Sequence, residues 1–86
     1  MPVLSRFYGI IIRMAFNREA GAHFHATYQD SELVVGLNPL RIIQVDAPPR
    51  ARDLVLEWAH SHYTELIQAW NRCAAHAPAK EIAPLI

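Results

Sequence analysis

The chain has 86 residues, of which 52% are hydrophobic, and its eight Lys and Arg residues balance its eight Asp and Glu residues. A chain of this length typically forms one domain, which we expect to span residues 1–86. Zero net charge argues against tight, nonspecific nucleic-acid binding, because such binding requires a broad basic surface. The single cysteine, Cys73, excludes an internal disulfide. With no secretory signal pattern and no apolar run near the ~20 residues that span a bilayer, the sequence predicts a cytoplasmic protein without membrane association.

The first half of the chain alternates in the manner of β-strands. Residues 7–16 predict a first strand with five apolar side chains on one face: Tyr8, Ile10, Ile12, Met14 and Phe16. Short turn-forming segments then separate three further predicted strands: residues 23–29, 32–37 and 40–45. Because these connections are short, we expect an antiparallel meander of three to four strands.

The second half changes to the period of a helix. From Pro49 to about Ala75, one apolar stripe runs along the predicted helix: Leu54, Val55, Trp58, His62, Leu66, Trp70 and Cys73. A break near His60-Ser61 would divide this region into two helices, and Pro78 ends it. Strands followed by helices predict an α+β fold, in which the meander packs against one long or two shorter C-terminal helices. The apolar tail, residues 80–86, would add an edge strand or cover the core.

His62 and the tryptophans lie on the apolar stripe of the predicted helix. We expect His62 to be partly buried and hydrogen-bonded. Trp58 and Trp70 are expected to anchor the core.

The chain has no Gly-rich phosphate loop, no Gly-x-Ser-x-Gly sequence, no Cys-x-x-Cys pair and no calcium-binding loop. Most familiar enzyme classes are therefore unsupported.

The sharpest local feature is the His-x-His sequence His23-Phe24-His25. On a strand, residues i and i+2 share a face and lie ~6.5–7 Å apart, so both imidazoles could bind zinc or another divalent transition metal. A third ligand would then come from a set of four candidates: Asp30, Glu32, His60 and His62. The same pair could serve a small nuclease-like enzyme as general base and general acid, with Arg13 stabilising the phosphate charge. The simplest alternative is that both histidines are polar residues on the solvent-exposed face of a half-buried strand.

Three residues are candidates for binding a partner. Arg50 and Arg52 lie at the predicted start of the helix, where basic side chains oppose the helix dipole. A binding surface can explain such a local inconsistency, although a solvated helix start also accounts for it. Tyr28 is the third candidate. The thin core and the apolar tail favour a protein partner, either another copy of the chain or a cognate small protein, and no cofactor is predicted apart from the alternative metal.

Several segments together resemble a known family. They are Pro2 to Ile10, Arg13 to Phe16, His23 to Ala26 with Tyr28, Leu54 to Trp58, His62, Glu65-Leu66, Trp70, and Ile82 to Leu85. This combination resembles the small prokaryotic family called domain of unknown function 4160 over nearly the full chain. The resemblance implies a small bacterial module that works beside another small protein, in a layout similar to toxin–antitoxin operons. We therefore expect an interaction module that binds a protein or nucleic-acid partner, with the nuclease-like enzyme and the metal-binding domain as alternatives.

Overall fold

The structure is a computed structural model and describes residues 2–85. Within these residues, five strands precede two helices: β1 Val3–Phe7, β2 Ile10–Arg13, β3 His23–Tyr28, β4 Ser31–Leu37, β5 Leu40–Asp46, α1 Pro49–Ser61 and α2 Tyr63–Ala74. Each strand is antiparallel to the next, and the strands follow chain order across one sheet. The predicted α+β meander with C-terminal helices is confirmed, with one strand more than the three to four predicted.

The additional strand comes from a hairpin within the predicted first strand. Tyr8 and Gly9 form a two-residue turn between β1 and β2, and their φ angles are 49° and 79°. Two positive φ angles are typical of the type I′ turns that join tightly paired strands. The single strand predicted over residues 7–16 is therefore wrong, and Tyr8 and Phe16 at its two ends are exposed. The buried members of the predicted face are Ile10, Ile12 and Met14.

The core lies between one face of the sheet and the helices. Along β3, Phe24 and Ala26 are buried on that face, whereas His25 and Thr27 lie on the opposite, partly exposed face. Trp58 of α1 is fully buried, and its ring centroid lies 5.9 Å from that of Phe24. Fourteen further buried hydrophobic residues complete the core around this pair and Ala26: Leu4, Phe7, Ile10, Ile12, Met14, Leu33, Val35, Leu37, Ala51, Val55, Ala59, Leu66, Ala69 and Ile82.

The predicted division of the helical region is present at His62, which separates α1 from α2. Its Nδ1 lies 2.7 Å from Oε1 of Glu65, and its ring centroid lies 5.6 Å from that of Trp58. The expectation of a partly buried, hydrogen-bonded histidine is thereby confirmed.

Among residues 2–85, no helix combines the length and the apolar character needed to cross a membrane.

The C-terminal tail covers the core beside β1. Ile82 is buried, and its backbone N–H donates a 2.8 Å hydrogen bond to the carbonyl of Leu4. The indole N–H of Trp58 donates to the carbonyl of Ala83 at 2.8 Å. Of the two roles predicted for this tail, it takes the covering one. The last tail residue, Ile86, lies outside the described residues.

Candidate functional site

The two histidines of the His-x-His sequence lie side by side on β3, as their spacing predicts. Their ring centroids are 5.2 Å apart, with ring planes at 73°. The indole of Trp70 lies against His23, with centroids 5.3 Å apart. Among residues 2–85, β2 pairs with β3 only as far as His25, so no strand pairs with β3 at His23 on that side. His23 is only 9% exposed, so the interpretation of two solvated histidines is wrong for His23.

Each histidine has a different polar neighbour. Nδ1 of His23 lies 2.8 Å from the carbonyl oxygen of Gly21. A carbonyl only accepts hydrogen bonds, so this contact places the proton on Nδ1 and leaves Nε2 as an acceptor. Nδ1 of His25 lies 3.8 Å from Oε1 of Glu32. The contact between His23 and Gly21 could not be predicted from the sequence. Every residue has a backbone carbonyl, so the residue types do not show which carbonyl a side chain will contact.

Arg13 lies on the strand next to this pair. It lies directly opposite His25 on β2, and directly opposite residues of antiparallel strands share a face. Among the residues that the structure describes, Arg13 has no carboxylate partner within ion-pair distance. The three predicted catalytic residues therefore share the face of the sheet opposite to that of Phe24 and Ala26, and Trp70 of α2 also contacts His23.

A metal site needs more ligands than the histidine pair supplies. Within residues 2–85, no three His, Cys, Asp or Glu side chains lie together as metal ligands would. Of the four candidate third ligands, Glu32 is near His25, whereas His62 pairs with Glu65 at the start of α2. The pair could thus contribute two imidazole ligands, and an ion bound there would need further ligands from water or a partner.

Two of the three predicted partner-binding residues meet at a second place, a cleft of about 180 Å³ that we call the Tyr–Arg cleft. It is lined by Tyr8, Ile10, Tyr28, Pro48, Arg50, Ala51 and Leu54. The β1–β2 turn, the end of β3 and the start of α1 meet there. Arg52 does not line the cleft; its Nε lies 3.6 Å from Oδ1 of Asp53. The structure therefore brings Tyr28 and Arg50 together and separates Arg52 from them.

Tyr8 is the residue of this cleft that sequence reasoning missed. Tyr8 was predicted on the apolar face of the first strand, but its side chain is 58% exposed and its backbone occupies the left-handed region. The turn packs closely on the neighbouring tyrosine, since a Cβ at Gly9 would lie 3.4 Å from Cε1 of Tyr28. The Tyr8-Gly9 pair between two apolar segments was the sequence feature that could have predicted the turn. The alternating pattern of residues 7–16 nevertheless favoured one continuous strand over a turn at this glycine.

The cleft has a positive electrostatic character. Pro48 provides no side-chain cap for α1, and the first turn of the helix contains no acidic residue. The uncapped N–H groups at a helix start carry partial positive charge. Arg50 adds a full charge, and in the described part of the chain its guanidinium forms no ion pair. A ligand with a carboxylate next to an apolar group would complement this cleft, because its walls combine the Arg50 charge with tyrosine and aliphatic side chains.

The comparison with protein families agrees with the resemblance seen in the sequence. A family model described as Domain of unknown function (DUF4160) matches residues 9–71, most of the chain. The chain belongs to the DUF4160 family. The DUF4160 match includes Arg13, both histidines of the pair, Tyr28 and Arg50, and it begins immediately after Tyr8. No curated protein and no solved structure matches the chain.

Proposed function

We propose that this DUF4160 domain is a small interaction module that binds a protein partner at the Tyr–Arg cleft. The partner would be the second component of a two-gene system similar to a toxin–antitoxin pair. The observation that carries this proposal is the meeting of Tyr8, Tyr28 and Arg50 around the uncapped start of α1. A carboxylate of the partner would pair with Arg50, and an apolar or aromatic side chain would pack against the tyrosine rings.

The conformation of Tyr8 supports a binding role. A left-handed backbone costs a non-glycine residue about 1–2 kcal/mol, and Asn, Asp or Gly is preferred in such turns. Tyr8 does not offset this cost by packing in the core, because more than half of its surface is exposed. Strained residues cluster at functional sites. Contact with a partner would give the exposed Tyr8 ring such a role.

The charge of the chain favours a protein over a nucleic acid. Basic and acidic residues are equal in number, and Arg50 is the one cationic side chain among the cleft-lining residues. Tight binding to a phosphate backbone requires several basic contacts. A single guanidinium with aromatic neighbours instead suits one carboxylate within a peptide segment.

Charge reversal in the cleft tests the proposal. The tagged chain would be co-expressed with the product of its neighbouring gene, and the complex purified. We expect Arg50→Glu to weaken binding at least tenfold in a calorimetric titration, because it would place like charges together. Arg52→Glu is the matched control. It should change the affinity less than about threefold, since Arg52 lies beside Asp53 and outside the cleft.

Three results would count against the protein-binding proposal. The first is that the neighbouring gene product does not co-purify with the wild-type chain. The second is that both arginine variants bind with equal affinity. The third is that the purified chain retains RNA or DNA, in which case the partner is a nucleic acid.

The histidine pair favours a second candidate function, a nuclease-like enzyme. In that reaction, Nε2 of His23 would remove the proton of a ribose 2′-hydroxyl, whose oxygen attacks the phosphorus. The protonated His25 would donate its proton to the 5′ oxygen as the phosphorus–oxygen bond breaks, giving a cyclic phosphate. Arg13 would stabilise the charge that develops on the phosphate. The specific support is that the two rings lie side by side with different polar neighbours, a backbone carbonyl at Nδ1 of His23 and the Glu32 carboxylate near Nδ1 of His25.

An RNA cleavage assay separates this candidate from the first. Losing a general acid typically costs about 10²–10⁴ in rate, so His25→Ala should lower cleavage at least 100-fold. His60→Ala, at an exposed position on α1, is the matched control and should cleave like the wild type. Equal cleavage by the wild type and His25→Ala, or no cleavage by either, would exclude the pair as a catalytic site.

A further inference from the structure

The strand β5 forms one edge of the sheet. In the part of the chain that the structure describes, no strand pairs with its outer side. Two of its apolar residues, Ile43 and Val45, are 57% and 53% exposed. Edge strands also present unpaired backbone N–H and C=O groups, which can pair with a strand of another chain.

A bulge gives this edge an unusual arrangement of side chains. Ile42 lies opposite Val35 and Gln44 lies opposite Val34, so Ile43 is an extra residue in β5. A Cβ at Gly36 would lie 3.1 Å from Cδ1 of Ile43, which places the Ile43 side chain on the face away from the helices. The helix-side residues of β5 are Leu40, Ile42 and Val45. The residues of the opposite face are Arg41, Ile43, Gln44 and Asp46.

This arrangement is symmetric about the Ile43–Gln44 peptide. In an antiparallel pair of two β5 strands centred there, Ile42 of one copy would oppose Val45 of the other on the helix side. Arg41 would oppose Asp46 on the other face. Without the extra residue, the members of each pair would lie on opposite faces, and the strand would not complement itself.

The charges at this edge also fit a second copy. Asp46 lies directly opposite Glu32 on β4, and like charges in directly opposite positions destabilise a sheet. Among the described residues, neither Asp46 nor Arg41 takes part in an ion pair. The Arg41 guanidinium of a second copy would place a positive charge beside the Glu32 and Asp46 carboxylates.

We propose that the chain forms a two-fold symmetric homodimer through antiparallel pairing of β5 with β5 of a second copy. The sheet would then run continuously through both copies. Pairing of two short strands buries a small interface, below about 1,200 Å². The fraction of dimer should therefore rise with protein concentration. This interface shares no residue with the Tyr–Arg cleft, so the homodimer and the proposed function can fail separately.

Analytical ultracentrifugation of charge variants tests the dimer. The wild type should self-associate between micromolar and near-millimolar concentration. Arg41→Asp and Asp46→Arg should each weaken self-association at least tenfold, because each variant places like charges opposite each other in its own dimer. An equimolar mixture of the two variants should recover association, since both cross-strand pairs of the heterodimer then carry opposite charges.

Two controls accompany these variants. Arg6→Asp reverses an exposed charge on β1, at the other edge of the sheet, and should self-associate like the wild type. Circular dichroism should show that each variant retains the secondary structure of the wild type. A wild type that stays monomeric throughout, single variants that dimerise like the wild type, or a mixture that stays monomeric would each overturn the proposal.

Discussion

Tyr8 is the residue at which stability and the proposed binding role oppose each other most clearly. Asparagine tolerates the left-handed conformation better than tyrosine, so Tyr8→Asn should raise the free energy of unfolding by about 0.5–1 kcal/mol. The same variant loses an aromatic wall of the cleft, so it should bind the partner several-fold more weakly. Urea denaturation and calorimetric titration measure the two effects. A variant that is less stable, or that keeps full affinity, would contradict this account of Tyr8.

The candidate residues could be chosen from the sequence, but their grouping could not. Arg50 and Tyr28 are far apart in the chain, and they meet only because the end of β3 lies next to the start of α1. Arg52 has the same charge and nearly the same position in the sequence as Arg50, yet it lies outside the cleft. The direction of each side chain depends on how α1 packs on the sheet, which a local pattern does not specify.

The histidine pair shows the same limit. The spacing of i and i+2 on a strand was sufficient to predict that His23 and His25 share a face. It could not reveal that Trp70, which comes from α2, covers His23. Burial of a polar residue by a distant element is a tertiary effect, so it has no signal near His23 in the sequence.

Among the elements, β3, β4 and β5 were predicted most accurately. In these strands apolar and polar residues alternate, and turn-forming residues stand on both sides. The pattern and the turn residues therefore indicate the same strand boundaries. The first hairpin was missed because alternation continues from Phe7 to Phe16 without a polar interruption at the turn. Gly9 was the residue in this segment that indicated a turn. Because glycine also occurs inside strands, it was not sufficient to predict one.

The β1–β2 turn provides a direct test of its backbone geometry. Gly9 has a φ of 79°, so Gly9→Ala should lower the free energy of unfolding by about 1–2 kcal/mol. Gly21→Ala is the matched control, because a Cβ at Gly21 meets no atom within 4 Å. It should leave stability within about 0.5 kcal/mol of the wild type or raise it slightly. Equal losses in urea denaturation of both variants would show that the turn differs from this description.

On the scale of the whole molecule, the family match and the folded unit differ in extent. The match covers residues 9–71, whereas β1 precedes it and the tail follows it. These two outer segments contact each other through the Ile82–Leu4 hydrogen bond, and both contribute buried residues to the core. The core is therefore completed by segments at both ends of the chain.

A fragment restricted to residues 9–71 should consequently fail to fold stably. It would lose Leu4, Phe7 and Ile82 from the core, and burial of each such side chain contributes about 1.5–3 kcal/mol. That total approaches the entire stability of a typical small domain. Circular dichroism and a thermal melt of the fragment, compared with residues 1–86, measure the effect. A cooperative melt like that of the full chain would contradict it.

The most direct test of binding at the Tyr–Arg cleft is an NMR map of the isotope-labelled chain with and without the co-purified partner. We predict that the largest changes in amide signals fall on Tyr8, Gly9, Tyr28 and residues 50–54, which surround the cleft. Changes centred on His23 and His25 or on β5 instead, or no changes at saturating partner, would contradict it.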